Sequence, residues 1–159
     1  MDMMPYITYP NAESVEVLQI GVTVTKCYIN EPGQVFFGVI DYVPGWFIAL
    51  HSHNTWELII IDSSSKGPGY VFFDGHWWRA DPGSAVFIPK GCHHAWSSGN
   101  DKGFKMLGIY GGSHQEAGRT YHADPETFQP ITPEEERNAL TWTAETARSA
   151  LKRQKSQRR

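Results

Sequence analysis

Short segments in which apolar and polar residues alternate, separated by turn signals, make up most of the chain. QVFFGVIDYV (34–43) is one such segment, and SVEVLQIGVTVTKCYI (14–29) predicts two more strands hinged near Gly21. Alternation with a period of two is typical of strands that bury one face. Asp74-Gly75, between YVFF and HWWR, is a strong hairpin signal. Strands repeating about every eight to twelve residues predict an all-β sandwich or barrel.

The C-terminal part has a helical pattern instead. TPEE (132–135) is a capping box with proline at the first helical position. An apolar stripe at helical spacing follows it: Leu140, Ala144, Ala147 and Leu151. We therefore expect a barrel with its N-terminal strands over 1–130, a helix over 131–151 that packs on the barrel, and a disordered basic tail over 152–159. A partner-binding helix is the alternative.

The formal charge of −3 gives the chain no electrostatic footprint for nucleic acid. Two cysteines, Cys27 and Cys92, allow one disulfide but are more typical of a reduced protein. No signal-peptide pattern opens the sequence, and apolar runs such as WFIAL (46–50) are too short to span a bilayer. We expect a soluble cytoplasmic protein that contacts neither membrane nor nucleic acid.

The stretch HSHNTWE (51–57) places two histidines and a glutamate immediately before the apolar run LIII. Side chains two apart on a strand share a face, so His51 and His53 point the same way. If the chain reverses through residues 54–56, Glu57 begins the antiparallel partner strand and can face the same side. Such groups are costly to bury without partners, and a divalent cation removes that cost.

A third imidazole is available in PKGCHHAW (89–96). His93 and His94 are adjacent, so only one of them can point into a barrel if the segment is extended. Alternation by itself leaves open which one does. Cys92 lies close in sequence but does not share the face of His94, and we do not count it as a ligand.

Two spaced motifs in these segments resemble the cupin family. Gly45-x5-His51-x-His53-x3-Glu57, followed by a glycine at Gly67 or Gly69, is similar to the first cupin motif. Gly83-x5-Pro89-x-Gly91-x2-His94 is similar to the second. The resemblance covers about residues 35–111. The loop before the glycine is longer than usual, and Ser98 occupies a position where the family has asparagine.

The resemblance implies an all-β, cupin-type double-stranded β-helix (jelly-roll) barrel, here with a C-terminal α-helix. It implies one divalent transition metal per chain, held by His51, His53, Glu57 and His94, and it makes His94 rather than His93 the ligand. It also implies a homodimer formed through N-terminal strands. Three nitrogens and one oxygen suit Fe, Mn, Ni or Zn, so the metal is not decided.

Three functions remain compatible with such a centre. Four protein ligands on an octahedral ion leave two adjacent positions for a small carbonyl- or enol-type substrate, or for a substrate atom and dioxygen. A dioxygenase-type oxidoreductase is our first expectation, because the predicted interior is apolar and aromatic. A lyase, isomerase or polyketide-type cyclase is the alternative, with Glu57 as a base besides its role as ligand. A non-catalytic small-molecule or metal-binding cupin is the third.

Alternation also predicts the residues that line the substrate pocket: Phe47, Ala49, Ile59, Ile61, Trp96 and Met106, or Leu107 in place of the last. On this pattern Trp46, Ile48 and Leu50 face the other way. Three further residues are candidates for an orienting polar group, although alternation does not settle their faces: Tyr42, Arg79 and Tyr110. The remaining histidines are expected at the surface or in the core without a role in the site: His76, His93, His114 and His122.

Overall fold

The computed structural model describes residues 22–142 of the 159-residue chain. The first nine strands are β1 Val22–Asn30, β2 Phe36–Tyr42, β3 Phe47–Ser52, β4 Glu57–Ile61, β5 Gly69–Phe73, β6 His76–Ala80, β7 Ala85–Ile88, β8 His94–Ser98 and β9 Phe104–Tyr110. They are followed by α1 His114–Ala117, β10 Thr120–Tyr121, α2 Pro133–Asn138 and β11 Leu140–Thr141. Of the two strands predicted over 14–29, the one before Gly21 lies outside the described residues.

The strands form two sheets that face each other. One sheet has the order β1-β2-β9-β4-β7 and the other β10-β3-β8-β5-β6-β11. Strands distant in sequence, such as β2 and β9, therefore pair side by side, as in a jelly roll. All pairs are antiparallel except β6 with β11. The predicted all-β jelly-roll barrel is confirmed.

The main core fills the space between the sheets. In β2, β4 and β9, buried residues alternate with partly exposed ones, so each strand contributes one face to this space. The buried members are Ile40, Tyr42, Trp46, Ile48, Ile59, Ile61, Val71, Ala80, Ile88, Trp96, Phe104 and Met106. A smaller cluster of Tyr70, Trp77, Ala95 and Ile131 packs on the outer side of the second sheet.

Strand β3 contains a bulge that changes which residues face inward. Ile48 pairs with Trp96 and His51 pairs with His94, so two residues of β3 oppose one residue of β8. Opposed residues share a face, and Trp96 and His94 are two apart, so Ile48 and His51 both face the barrel interior. Strict alternation put Ile48 on the opposite face from His51, and that prediction is wrong because of the extra residue.

The turns follow their sequence signals. Asp74 and Gly75 have φ angles of 52° and 76° and connect β5 to β6. Two successive positive φ angles are those of the type I′ turn that suits the twist of a hairpin. The predicted hairpin is thus confirmed.

The predicted C-terminal helix is much shorter than its apolar stripe suggested. Thr132 and Glu135 form the predicted capping box, but α2 ends at Asn138. Ala139 is extended, with φ −57° and ψ 134°, and Leu140 then pairs in parallel with Trp78 of β6. A helix through 131–151 is therefore wrong at Leu140, because an open sheet edge offers the backbone hydrogen bonds of a strand. Residues 143–151 and the tail lie outside the described range.

No helix in the described range, 22–142, is long and apolar enough to cross a membrane. Cys27 is buried and Cys92 partly exposed, and both are free thiols.

Candidate metal centre

Four ligand-type side chains from three places in the chain converge inside the barrel. His51 is the penultimate residue of β3 and His53 follows the strand, Glu57 begins β4, and His94 begins β8. Their residues are only 2%, 7%, 3% and 1% exposed, respectively. The Nε2 atoms of His51 and His53 lie 3.2 Å apart, and Glu57 Oε2 lies 3.1 Å from His94 Nε2 and 3.7 Å from His53 Nε2.

The backbone orients all three imidazoles in the same way. The Nδ1 atom of His51 lies 2.8 Å from the carbonyl oxygen of Ala49, and that of His94 lies 3.0 Å from the carbonyl oxygen of Cys92. His53 Nδ1 likewise donates to the carbonyl of Gly118. Each carbonyl can only accept, so Nδ1 carries the proton and Nε2 keeps its lone pair. Three lone pairs thus point into one buried space.

The geometry fits a divalent metal ion. Imidazole nitrogens lie about 2.1 Å from such an ion, so two ligand atoms are about 3.0 Å apart at a right angle and about 3.4 Å apart at a tetrahedral angle. The observed separations of 3.2 Å and 3.1 Å agree with these values. Glu57 Oε2 and His94 Nε2 are moreover buried without a hydrogen-bond partner. A cation would satisfy both atoms, and the three histidines can hold one.

The electrostatics of the cluster keep His51, His53 and Glu57 in the forms that can bind a metal ion. Burial, reinforced by the His94 imidazole, lowers the pKa of His51, and burial lowers the pKa of His53 despite the nearby Glu57 carboxylate. Burial alone would raise the pKa of Glu57, but His94, His53 and the Tyr110 hydroxyl together hold it below its ordinary value. Neutral imidazoles and an ionised carboxylate are what coordination requires.

A cavity of about 230 Å³ opens beside His53. Its walls are His53, Tyr110 at the end of β9, and the segment His114, Gln115, Ala117, Gly118 and Arg119. Helix α1 in this segment begins with a capping box between Ser113 and Glu116. The carbonyl of Ala117 accepts a hydrogen bond from the Asn54 backbone N–H, and that of Gly118 accepts one from His53, so the segment is tied to the loop that carries His53.

Comparison with known proteins identifies the family of the chain. Residues 33–138 match the model of the AraC-like ligand binding domain. The chain belongs to this family. No curated protein matches the sequence of this AraC-like domain.

Solved structures confirm the cupin fold of this AraC-like domain. The cupin-like protein from Thermotoga maritima superposes with a TM-score of 0.55 at 17% identity, covering 86% of this chain and 98% of that one. DMSP lyase DddQ from Ruegeria pomeroyi gives 0.56 at 23% identity over 74% of this chain, which spans 58% of the DddQ chain. KdgF from Halomonas sp. gives 0.54 at 14% identity, covering 64% and 89%.

The predicted pocket of this cupin is largely packed core. Four of its six residues, Ile59, Ile61, Trp96 and Met106, do face the interior, but they pack against Trp46 and Ile48 and do not form the cavity beside His53. The prediction of Phe47 was wrong, because the bulge turns it outward, where its ring stacks 6.2 Å from that of Phe128. Ala49 is fully buried within the bulge itself, two residues before His51.

The three polar candidates separate clearly. Tyr110 lines the cavity, with its ring 5.0 Å from that of His53. Tyr42 is a core residue stacked on Trp46, at 3.6 Å between ring centroids. Arg79 lies at the surface, where it forms an ion pair of 2.7 Å with Asp81, and it does not line the cavity.

The cavity residues that follow Tyr110 were not found from the sequence, and two of them, His114 and Arg119, carry side chains that can act chemically. His114 was expected to have no role in the site, and Arg119 was not considered, yet both line the cavity. They lie after the last long strand, in a segment without periodicity, so no local sequence signal indicates their position. His76 and His93 are exposed as expected, and His93 stacks on His122 at 3.6 Å.

Proposed function

We propose that this cupin is a metal-dependent enzyme acting on a small carbonyl- or enol-type organic molecule. The observation that carries the proposal is the convergence of His51, His53, Glu57 and His94 in a buried cluster with unpartnered ligand atoms. A bound Fe, Mn, Ni or Zn ion would supply Lewis acidity and hold a chelating substrate. The cavity beside His53 is the side from which a substrate would reach it.

The residues around this cavity favour a redox-neutral reaction, such as that of a lyase or isomerase. Burial, aided by Arg119, lowers the pKa of His114, so its neutral imidazole can accept a proton from a substrate carbon next to a carbonyl. Burial and the Glu57 carboxylate raise the pKa of Tyr110 well above its ordinary value, so its hydroxyl stays protonated and can donate. DddQ, similar in fold, is by name a lyase.

Glu57 is better suited to holding the metal than to acting as a base. Its carboxylate contacts His94 and His53, and it is not among the residues that line the cavity. The dioxygenase remains the second candidate, although its main support, an apolar pocket, is now accounted for by packed core residues. Its remaining support is the donor set, which suits iron as well as the other ions.

A ligand-binding domain without turnover is the third candidate, and the description of the family supports it. For this role the cluster would hold a metal or a metal-bound ligand, and the proton-transferring groups of the cavity would serve only to bind.

Metal analysis and a divided substrate panel test these proposals. Protein purified from Fe-, Mn-, Ni- and Zn-supplemented cultures should carry about one metal ion per chain, and His51→Ala should lose it. Retained stoichiometry in that variant would refute the ligand assignment. The panel comprises hydroxy-carbonyl compounds under nitrogen and β-diketones, catechols and flavonols in an oxygen electrode. Turnover under nitrogen supports the redox-neutral reaction, and oxygen uptake supports the dioxygenase. Binding without either supports the third candidate.

A further inference from the structure

Arg119 places a positive charge in the wall of the cavity, and it is not one of the four side chains of the candidate metal cluster. Its side chain lines the same cavity as His53 and Tyr110. One terminal nitrogen donates to the Tyr121 hydroxyl at 3.3 Å, and the guanidinium lies 5.9 Å from the centre of the Tyr121 ring. The Nε atom is buried and has no hydrogen-bond partner.

No carboxylate in the described range, residues 22–142, forms a salt bridge with Arg119. The groups that influence its charge are instead the hydroxyls of Tyr110, Tyr121 and Tyr42, which hold the pKa of Arg119 above its ordinary value despite the opposing effect of burial. Arginine remains a cation under all ordinary conditions. Arg119 is partly buried, with its Nε atom fully buried. A partly buried cation without an anion is unfavourable, and this favours an anionic ligand at the guanidinium.

The size and charge of the cavity limit what that anion can be. At about 230 Å³ it is smaller than the pockets that hold drug-sized ligands, so it suits a molecule of a few carbon atoms. Arg119 is the one lysine or arginine among the residues that form its wall. A single positive charge matches a carboxylate better than a doubly charged phosphate, and the planar guanidinium can bind both carboxylate oxygens.

We propose that Arg119 binds the carboxylate of a small organic acid whose carbonyl or enol oxygen lies at the His51–His53–Glu57–His94 cluster. The inference rests on the proposed function and specifies its substrate class. A substrate held at both points would be fixed in orientation, with His114 and Tyr110 on the cavity wall beside it.

Metal-free protein gives the direct test, because a metal would itself attract carboxylates. We would titrate ¹⁵N-labelled chain with propionate, with neutral propionamide and with inorganic phosphate, and follow the amide signals of Ala117 and Gly118. Propionate should move these signals, and propionamide should bind at least about tenfold more weakly. Equal binding of propionamide would overturn the proposal. Tighter binding of phosphate than of propionate would also overturn it, because the ligand class would then be a phosphate and not a carboxylate.

Two variants and a matched control make the test specific. Arg119→Gln should weaken propionate binding about tenfold or more, the loss expected for one charge-assisted hydrogen-bonded pair. Arg119→Lys keeps the charge but loses the planar guanidinium that can bind both carboxylate oxygens, and it should weaken propionate binding about threefold. This variant keeps the test decisive if Arg119→Gln does not fold. Arg137→Gln removes an exposed arginine on α2 and should bind like the wild type. Unchanged propionate binding in Arg119→Lys and Arg119→Gln would overturn the proposal.

Metal content separates this inference from the proposed function. Arg119→Gln should retain about one metal ion per chain, because Arg119 is not a ligand, while His51→Ala should lose the metal. A chain that holds metal but no carboxylate refutes the inference alone. A chain that holds carboxylate at Arg119 but no metal refutes the proposed function alone.

Discussion

Metal-dependent stabilisation is the most direct consequence of a buried ligand cluster, and His94→Ala is the most informative perturbation. The four ligand side chains are almost fully buried, so the complete site exists only in the folded chain. His94 comes from β8, far along the chain from the His51–Glu57 segment, and it joins the site only on folding. A metal ion must therefore bind the folded chain more tightly than the unfolded one.

The expected magnitude follows from linkage. A ligand at about 100 times its dissociation constant adds about 2.7 kcal/mol to the free energy of unfolding. For a domain of this size that is about 5–11 °C in melting temperature. If loss of His94 weakens binding about 100-fold, the same metal concentration adds only about 0.4 kcal/mol, which is about 1–2 °C.

His93→Ala is a matched control, since it removes the neighbouring imidazole, which is exposed and stacked on His122 outside the cluster. Circular dichroism melts with and without Mn, Ni or Zn measure the shift within each variant, so differences in metal-free stability cancel. The control should keep the full shift. A full shift in His94→Ala, or its loss in His93→Ala, would refute the reasoning.

Three further predictions concern other parts of the molecule. Ser98→Ala should lower the free energy of unfolding by about 1–3 kcal/mol in urea titrations, because the Ser98 hydroxyl accepts from the buried Trp46 backbone N–H at 2.8 Å. Burial raises the pKa of Glu136, but hydrogen bonds, chiefly from Asn100, hold it lower than usual. Glu136→Gln should therefore cost about 1 kcal/mol at pH 7, and this cost should shrink once the pH falls below the ordinary glutamate pKa of about 4.3 and the carboxylate of the folded chain takes up a proton. Tyr110→Phe should keep the metal but lower kcat about 100-fold on any panel compound turned over under nitrogen.

Exposed positions provide controls for the two stability predictions, those for Ser98 and Glu136. Ser64→Ala removes an exposed hydroxyl that donates to the Asp62 carboxylate, and Glu126→Gln removes an exposed carboxylate. Neither should change stability by more than about 0.5 kcal/mol. An equal loss in Ser64→Ala and Ser98→Ala would contradict the role of Ser98. A Glu136→Gln deficit that grows as the pH falls from 7 would contradict the sign of the linkage.

The barrel and the histidines of its centre were predictable from local patterns. Alternation, turn residues and motif spacing are short-range features, because strand pleat and turn geometry depend on a few neighbouring residues. For this reason the Asp74-Gly75 hairpin and the capping box at Thr132 agree with the structure. The choice of His94 over His93 also agrees with it, but that choice came from the family resemblance and not from alternation. The two motifs placed their histidines correctly because each side chain has a defined parity within its own strand.

The bulge in β3 could not be seen in the sequence. A bulge forms because one strand must match the length and twist of its neighbour, and that neighbour, β8, lies more than forty residues away. The predicted face was correct for His51 but wrong for Phe47, because the extra residue of the bulge lies between Phe47 and His51. The early end of α2 has a similar cause, because the edge of β6 binds Leu140 through its backbone.

Arg119 shows the same limit in the functional site. No pattern in the residues around Arg119 predicts that it binds a ligand. The proposal for Arg119 depends on the cavity that it lines together with His53 and Tyr110. Which side chains line a cavity depends on how distant segments pack, and on which backbone atoms tie them together. The two motifs thus specified the histidines of the candidate metal centre, whereas long-range packing created the cavity beside them and placed the charge of Arg119 in its wall.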